Sequence, residues 1–149
     1  MIKAKQRAAA LGGSADEAEA AFYDALQHGD IEKMMACWAD EDDIVCIHPG
    51  GPRLVGAPTI RAAFAAMFAH GVVRAVPQRL HKVESLAGAV HSVVERVEVM
   101  TEAGAREAFV TATNVYHKTV QGWRMVVHHA SPGATSELQE LAAASQTLH

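Results

Sequence analysis

The apolar pattern of the chain changes its period once, at Gly71, and this change limits the fold more than any other feature. Before that point, apolar residues recur at helical spacing, most clearly at Ile60, Phe64, Met67 and Phe68. After it, long segments rich in Val and Thr alternate in part, as half-buried strands do. Helices that precede a run of strands predict an α+β domain.

Three helices and one short strand are predicted in the first half of the chain. Ser14 opens the first helix with a capping box, and Gly29 ends it. Asp30 caps a short second helix, and the third helix covers Gly56 to Ala69. Between the last two, Ile44 to Ile47 is an apolar strand, which ends at the Pro-Gly-Gly turn that follows it.

Four long strands are predicted in the second half of the chain, and Gly-containing turns between the last three favour an antiparallel meander. The strands are Val72 to Leu86, Ala89 to Thr101, Arg106 to Val120 and Trp123 to Ser131. The domain is expected at 14–132, after a flexible arm at 1–13. For the tail at 133–149, two interpretations stay open: a short helix or a mobile segment.

Composition argues against several classes of partner and location. The net charge is −4 and no Lys/Arg cluster occurs, so nucleic acid is not expected as a partner. No apolar run approaches the roughly 20 residues that span a bilayer, and no secretory signal is apparent, so no membrane association is expected. Cys37 and Cys46 lie among apolar residues, which favours reduced core thiols in a cytoplasmic protein.

Three stretches carry a resemblance to a known family: Phe22 to Asp30, Ile47 to Pro52 and Trp123 to Ser131. With the order of elements, they resemble the SnoaL-like proteins of the nuclear transport factor 2-like superfamily, relatives of ketosteroid isomerase and the polyketide cyclases. The resemblance implies a cone-shaped α+β barrel, in which N-terminal helices pack on a curved antiparallel sheet around an apolar pocket. It also implies a homodimer formed through the sheet, and chemistry that needs no cofactor.

Two candidate catalytic residues follow from the resemblance. His48 falls where the isomerase carries its general base, and Asn114 falls where it carries an acid that donates a hydrogen bond to an oxyanion. Phe22 takes the place of the isomerase's tyrosine, and one helical step turns the Tyr23 hydroxyl off the pocket face. The isomerase constellation is therefore incomplete, and classical ketosteroid isomerase activity is not expected.

His129 is the third catalytic candidate. Adjacent strand residues point to opposite faces, so at most one of His128 and His129 faces the pocket. His129 shares its parity with Trp123, Met125 and Val127, the more apolar set. His129 is therefore predicted to point inward, and His128 outward or into a dimer interface.

The candidates for ligand contact are Phe22, Trp38, Arg53, Phe64 and Tyr116. Structural alternatives stay open for most of the candidates. Trp38 is typical of a core residue and Arg53 of a solvated loop, while the histidines and Asn114 are equally typical of buried groups bonded to neighbouring backbone or side chains. His48 and His129, with Asp43 or Glu95, could supply three metal ligands. No metal-ligand spacing occurs in the sequence, however, so no metal is predicted.

Two functions of different kinds remain open at this point. The first is an enzyme that binds a small, largely apolar molecule and moves a proton on it, in isomerase, cyclase or dehydratase chemistry with His48 as base. The alternative is a non-catalytic module for ligand binding or dimerisation. A partner-binding role like that of the transport factor ranks third, because no exposed interaction motif supports it.

Overall fold

The computed structural model describes residues 13–133, with side chains for all of them except 99–101. Its elements, in chain order, are α1 (Ala15–His28), α2 (Ile31–Ala36), β1 (Val45–Ile47), β2 (Arg53–Val55), α3 (Ala57–Ala69), β3 (Arg74–Glu84), β4 (Gly88–Thr101), β5 (Gly104–Thr119) and β6 (Gly122–Pro132). The predicted α+β class, with helices before a meander, is confirmed. The predicted arm and tail lie outside the described residues, apart from Gly13 and Gly133.

The first two helices begin at the residues that the sequence predicts. Ser14 Oγ accepts a hydrogen bond from the backbone N–H of Glu17 at 3.1 Å, and Asp30 Oδ1 accepts one from that of Lys33 at 3.0 Å. Between them Gly29 has a left-handed φ of 63°, which ends α1 and lets the chain turn at once. Within residues 13–133, no helix combines the length and apolarity needed to cross a membrane.

The six strands form one sheet in the order β2-β1-β6-β5-β4-β3. The long strands β3 to β6 are antiparallel neighbours, whereas β1 runs parallel to β6. Strand β2 was not predicted, because three residues after a turn are too few to show alternation; it pairs with β1, where Val45 opposes Val55. Helix α1 packs on one face of the sheet, which is called the inner face below.

A β-bulge in β6 overturns the predicted orientation of its two histidines. Val127 opposes Val115, but the next pair joins Met125 to Tyr116, so Val126 is an extra residue in β6. The prediction assumed that side chains alternate between the two faces along the whole strand. The extra residue at the bulge exchanges the faces for the residues that follow it. His128 is therefore buried on the inner face, and His129 is exposed on the other face.

Helix α2 is joined to the sheet at Trp38, which is buried in the core. The backbone N–H of Met125 donates to Cys37 O at 2.7 Å, and that of Ala39 donates to Met125 O at 2.9 Å. Cys37 and Cys46 are free, buried thiols, and burial raises the pKa of each to about 12. Both cysteines are therefore inert core residues.

Candidate functional site

A cavity of about 220 Å³ lies between α1, α3 and the inner face of the sheet. Its wall is mostly apolar, and three titratable side chains interrupt it. The wall consists of Phe22, Leu26, His48, Pro49, Phe64, Met67, Val73, Ala75, Glu95, Val97, Val110, His128 and Ala130. An apolar cavity with a few convergent polar groups is the usual form of a small-molecule site.

Larger depressions occur elsewhere on the described surface, but their chemistry is less specific. One of them has about 670 Å³, and four of the charged side chains along it form two exposed pairs. Arg74 lies 3.8 Å from Glu98, and Arg96 lies 3.7 Å from Glu107. Such exposed pairs are typical of a solvated surface, so the smaller apolar cavity is the better candidate.

Glu95, on β4, is the carboxyl group of the cavity wall. It is 5% exposed, and its Oε2 accepts a hydrogen bond of 2.6 Å from the Tyr23 hydroxyl. Burial raises the pKa of Glu95 to about 7, although the hydrogen bond from Tyr23 lowers it; the nearby Glu19 charge raises it further. Glu95 is therefore close to half-protonated at neutral pH, which suits a group that exchanges protons.

His128 presents an unprotonated nitrogen to its surroundings. The amide nitrogen of Asn114 donates to Tyr23 Oη at 3.1 Å and to Glu19 Oε2 at 3.3 Å, so its amide oxygen faces His128. That oxygen lies 2.6 Å from His128 Nδ1, which must therefore carry the hydrogen. Burial, with smaller effects of His48 and His129, lowers the pKa of His128 to about 3. The ring is neutral, and Nε2 is an acceptor.

His48 follows β1, where the backbone turns sharply. Gly51 N–H donates to His48 O at 2.9 Å, which closes the Pro-Gly-Gly turn. The imidazole stands edge-on to Phe64, with 5.1 Å between ring centroids, and lies 6.2 Å from the ring of His128. Its Nε2 is 3.7 Å from Cys46 Sγ. Burial lowers the pKa of His48, so it is a neutral acceptor at neutral pH.

A polar cluster centred on Glu19 lies beside the cavity on the same inner face. Its centre is Glu19 Oε2, which accepts from Tyr116 Oη at 2.7 Å, from His91 Nδ1 at 2.8 Å and from Asn114 Nδ2 at 3.3 Å. Tyr23 connects the two regions, because its oxygen accepts from Asn114 and donates to Glu95. The cluster thus holds the residues behind the cavity wall in fixed orientations.

The structure brings some of the predicted residues to the cavity and leaves others away from it. His48, Phe22 and Phe64 line the wall. Five predicted residues do not. Asn114 and Tyr116 are buried in the Glu19 cluster, Trp38 packs in the core, and Arg53 and His129 are exposed.

The predicted oxyanion role of Asn114 does not fit its contacts. Both hydrogens of its amide are committed, one to Tyr23 and one to Glu19, and its oxygen accepts from His128. No donor is left for a ligand, so Asn114 is a positioning residue. Arg53 pairs with Ile47 across the β1–β2 ladder, which takes it out of the predicted loop and keeps it away from the cavity wall.

The prediction for Tyr23 needs a correction as well. One helical step does take Tyr23 out of the cavity lining, but its hydroxyl still reaches the interior and bonds Glu95. Sequence reasoning also misses Glu95 and His128 as wall residues. For Glu95 the sequence contained a usable signal, because Glu95 lies two residues from both Val93 and Val97 on β4 and therefore shares their face of the strand. His128 gave none, because a bulge decides its orientation.

Comparisons with known proteins agree on one family. The model of the SnoaL-like domain matches residues 16–135. A solved structure from Thiobacillus denitrificans, described as a candidate calcium/calmodulin-dependent protein kinase type II association domain, is 36% identical. The match covers 81% of this chain and 96% of that one, with a TM-score of 0.73. No curated protein matches the chain.

Two further solved structures show how widely the fold is shared. A candidate dehydratase of the nuclear transport factor 2-like family from Streptomyces avermitilis is 26% identical over 79% of this chain and 93% of its own, with a TM-score of 0.70. A nuclear transport factor 2-like protein with a cystatin-like fold from Novosphingobium aromaticivorans is 17% identical over 80% and 81%, with a TM-score of 0.65. The chain therefore belongs to the SnoaL-like family of the nuclear transport factor 2-like superfamily.

Proposed function

We propose that the cavity binds a small, largely apolar molecule with one carbonyl group and moves a proton on it without a cofactor. The observation that carries this proposal is Glu95, a buried carboxyl group in a mostly apolar wall that also contains His48 and His128. Burial raises its pKa to about 7, which is consistent with this role. A volume of about 220 Å³ lies below the range of about 300–1,000 Å³ that drug-sized ligands occupy, so the ligand is small.

The roles follow from the protonation states of the wall residues. Neutral His48 takes a proton from the carbon next to the carbonyl. The electron pair of that C–H bond forms a C=C bond to the carbonyl carbon, and the π pair of the carbonyl group moves onto its oxygen. Protonated Glu95 donates a hydrogen bond to the oxygen as its negative charge develops. Tyr23 occupies Glu95 Oε2, which leaves Oε1 for the ligand. His48 then returns the proton to another atom, which completes an isomerisation or assists the loss of a hydroxyl group.

The candidate dehydratase at 26% identity supports this class of reaction. The proposal also defines the pH dependence of turnover. The reaction needs His48 neutral and Glu95 protonated, so the rate falls as the pH rises through about 7. Glu95→Gln should remove this fall, because an amide donates at every pH. His48→Gln should abolish turnover and leave ligand affinity within about threefold of the native value.

Ligand occupancy of the cavity is tested first, by mass spectrometry of small molecules that copurify with the full chain. Ala130→Leu extends a side chain into the cavity, because Ala130 is 3% exposed in its wall. The matched control is Ser131→Leu, because Ser131 is the next residue of β6 and its side chain lies on the opposite face of the sheet. We expect the copurified molecule in the native protein and in Ser131→Leu, but not in Ala130→Leu. Equal occupancy in all three proteins would place the ligand elsewhere.

A second candidate function is assembly through the outer face of the sheet. Val90, Val115 and Val127 oppose one another in register, so they form an apolar row across β4, β5 and β6. Val90 is 39% exposed. The 36% identical relative, a candidate association domain, supports the same idea. The proposed assembly is a homodimer, and the two free thiols fit a reducing cytoplasm.

The oligomeric state tests the assembly function separately from catalysis. Val115→Lys places a charge within the row, whereas Val120→Lys places one at the β5–β6 turn, where the native side chain is fully exposed. We expect light scattering to find a dimer for the native chain and for Val120→Lys, and a monomer for Val115→Lys. A native monomer would reject the proposed dimer and leave the cavity proposal unchanged.

A further inference from the structure

We propose that Asp16, Glu84 and His91 form a binding site for a divalent transition-metal ion, at the start of α1 and beside the β3–β4 hairpin. Each residue offers one ligand atom, and the three atoms lie within 4.8 Å of one another. This site lies apart from the cavity, because none of its three residues lines the cavity wall. The sequence pattern predicts no metal site, because the three residues come from separate elements and show no ligand spacing along the chain.

His91 is the observation that sets this cluster apart from an ordinary group of surface acids. Its side chain is fully buried, and its Nδ1 lies 2.8 Å from Glu19 Oε2. A carboxylate oxygen only accepts, so Nδ1 carries the hydrogen. No hydrogen-bond partner for Nε2 occurs among the described residues, and the nearest carboxylate atom, Asp16 Oδ1, is 4.0 Å away. A buried nitrogen thus points at two carboxylates without bonding either.

This arrangement is how proteins prepare a histidine for a metal. A ligating histidine normally donates its other ring N–H to a carboxylate or carbonyl, which fixes the ring and the tautomer. Glu19 supplies that contact, and Tyr116 and Asn114 hold Glu19 in place. The His91 ligand is therefore oriented in advance, and a metal at Nε2 would satisfy the last unbonded polar atom of the ring.

The two carboxylates supply the mobility that the histidine lacks. The Asp16 side chain is 57% exposed, and Glu84 is exposed at the end of β3. Ligand atoms of a tetrahedral zinc site lie about 3.3 Å apart, so the exposed carboxylates need to close by only about 1.5 Å. One imidazole and two carboxylates suit Zn²⁺, Co²⁺ or Mn²⁺ and leave a coordination position for water.

Lys82 competes with a metal for this site. Its Nζ donates to both carboxylate oxygens of Asp16, at 2.8 and 2.9 Å. The ammonium group shows that the position attracts a cation, but it must leave Asp16 when a metal binds. Removal of the Lys82 charge should therefore tighten metal binding, whereas weak binding at scattered surface histidines would not respond in this way.

Two titrations of the full chain test the site. Zn²⁺ binding is measured by calorimetry, and Co²⁺ binding is measured by visible absorption. We expect one equivalent to bind, and at least tenfold weaker binding in Asp16→Asn and Glu84→Gln, whose exposed side chains can change without unfolding the protein. His91→Gln should also remove the Co²⁺ absorption band. Lys82→Met should bind at least threefold more tightly, and His70→Gln, a remote exposed histidine, should match the native chain.

The opposite results are equally clear. If Asp16→Asn, Glu84→Gln and His70→Gln all bind like the native protein, the metal is an adventitious ion only and the proposal is wrong. Failure of the native chain to bind Zn²⁺ or Co²⁺ overturns it as well. None of these outcomes bears on the cavity, because ligand occupancy and turnover are measured there with different variants.

Discussion

Two regions of the same inner face use the same kinds of side chain in different ways. In the Glu19 cluster, one carboxylate oxygen receives three hydrogen bonds, from a tyrosine, a histidine and an asparagine. In the cavity, Glu95 receives one from Tyr23, and His48 and His128 are neutral acceptors beside empty volume. The bonds that converge on Glu19 give the first region a structural role, although His91 keeps one unbonded nitrogen at its edge. Unused bonding capacity on the cavity wall makes the second region a candidate for chemistry on a ligand.

The difference also explains why the pKa of Glu95 is raised to about 7. A buried carboxyl group with few donors is easier to protonate, because its charge is poorly solvated. The comparison therefore predicts where mutations cost stability and where they change titration.

Loss of the cluster's centre should have the largest effect on stability. Glu19→Ala leaves three buried donors without their acceptor, and we expect the free energy of unfolding to fall by about 4 kcal/mol. Urea denaturation followed by circular dichroism measures it. Glu41→Ala, at an exposed position before β1, is the control, with an expected change of about 0.5 kcal/mol or less. If both variants lost a similar free energy of unfolding, the Glu19 cluster would not have the structural role that distinguishes it from the cavity.

Glu95 should affect stability in a way that depends on pH. Its pKa is about 7 in the folded protein against an ordinary value of 4.5, so folding favours the protonated form. The contribution of Glu95 to stability is therefore fully present below pH 4.5 and decreases by about 3 kcal/mol as the pH rises to 7. Glu95→Gln resembles the protonated form at every pH and lacks this loss.

The measurement is the difference in unfolding free energy between Glu95→Gln and the native protein. We expect this difference to grow in favour of the variant by about 3 kcal/mol between pH 4.5 and 7. Acid destabilisation by His128, whose pKa is lowered, is common to both proteins and cancels. Glu98→Gln, at an exposed position on the same strand, is the matched control variant. A difference that is constant with pH would mean that Glu95 is solvated.

Tyr23→Phe tests the contact between the two regions. The variant removes the hydrogen bond that lowers the pKa of Glu95, so this pKa should rise above about 7. It also removes the acceptor of one Asn114 hydrogen, at a cost of about 1–2 kcal/mol. Carbon NMR of labelled glutamate side chains follows the titration. A lower pKa in the variant would show that water replaces the hydroxyl, which would contradict a closed, apolar wall.

The fold was predictable because its signals are local. The caps at Ser14 and Asp30 satisfy backbone groups three residues away, and the change of period marks helices and strands directly. The site was less predictable, since its contacts join distant residues. Tyr23 and Glu95 are 72 positions apart, and Asn114 and Glu19 are 95 apart. Such residues meet because helix α1, which holds Glu19 and Tyr23, packs on the sheet that holds Glu95 and Asn114.

The resemblance implied a cavity near His48, and the structure has one there, but its wall contains other residues than the resemblance implied. His48 lies at the wall, where the comparison with the isomerase placed it, because its position depends on a local turn. Asn114 occupies the expected strand, but its hydrogen bonds go to Glu19 and Tyr23, which a strand-by-strand comparison does not include. A residue's role thus depends on what faces it, and a single strand contains no information about that.

The smallest effect should come from His129, on the outer face next to the bulge. His129 is exposed, so we expect His129→Ala to change the unfolding free energy by no more than about 0.5 kcal/mol. His128→Ala should cost several times more, because it removes a buried ring and the hydrogen bond to Asn114. Urea denaturation of the two variants tests directly which histidine faces the interior. If His129→Ala were the more damaging variant, the bulge at Val126 would be misplaced, and the cavity wall would lose the neutral imidazole that distinguishes it from the Glu19 cluster.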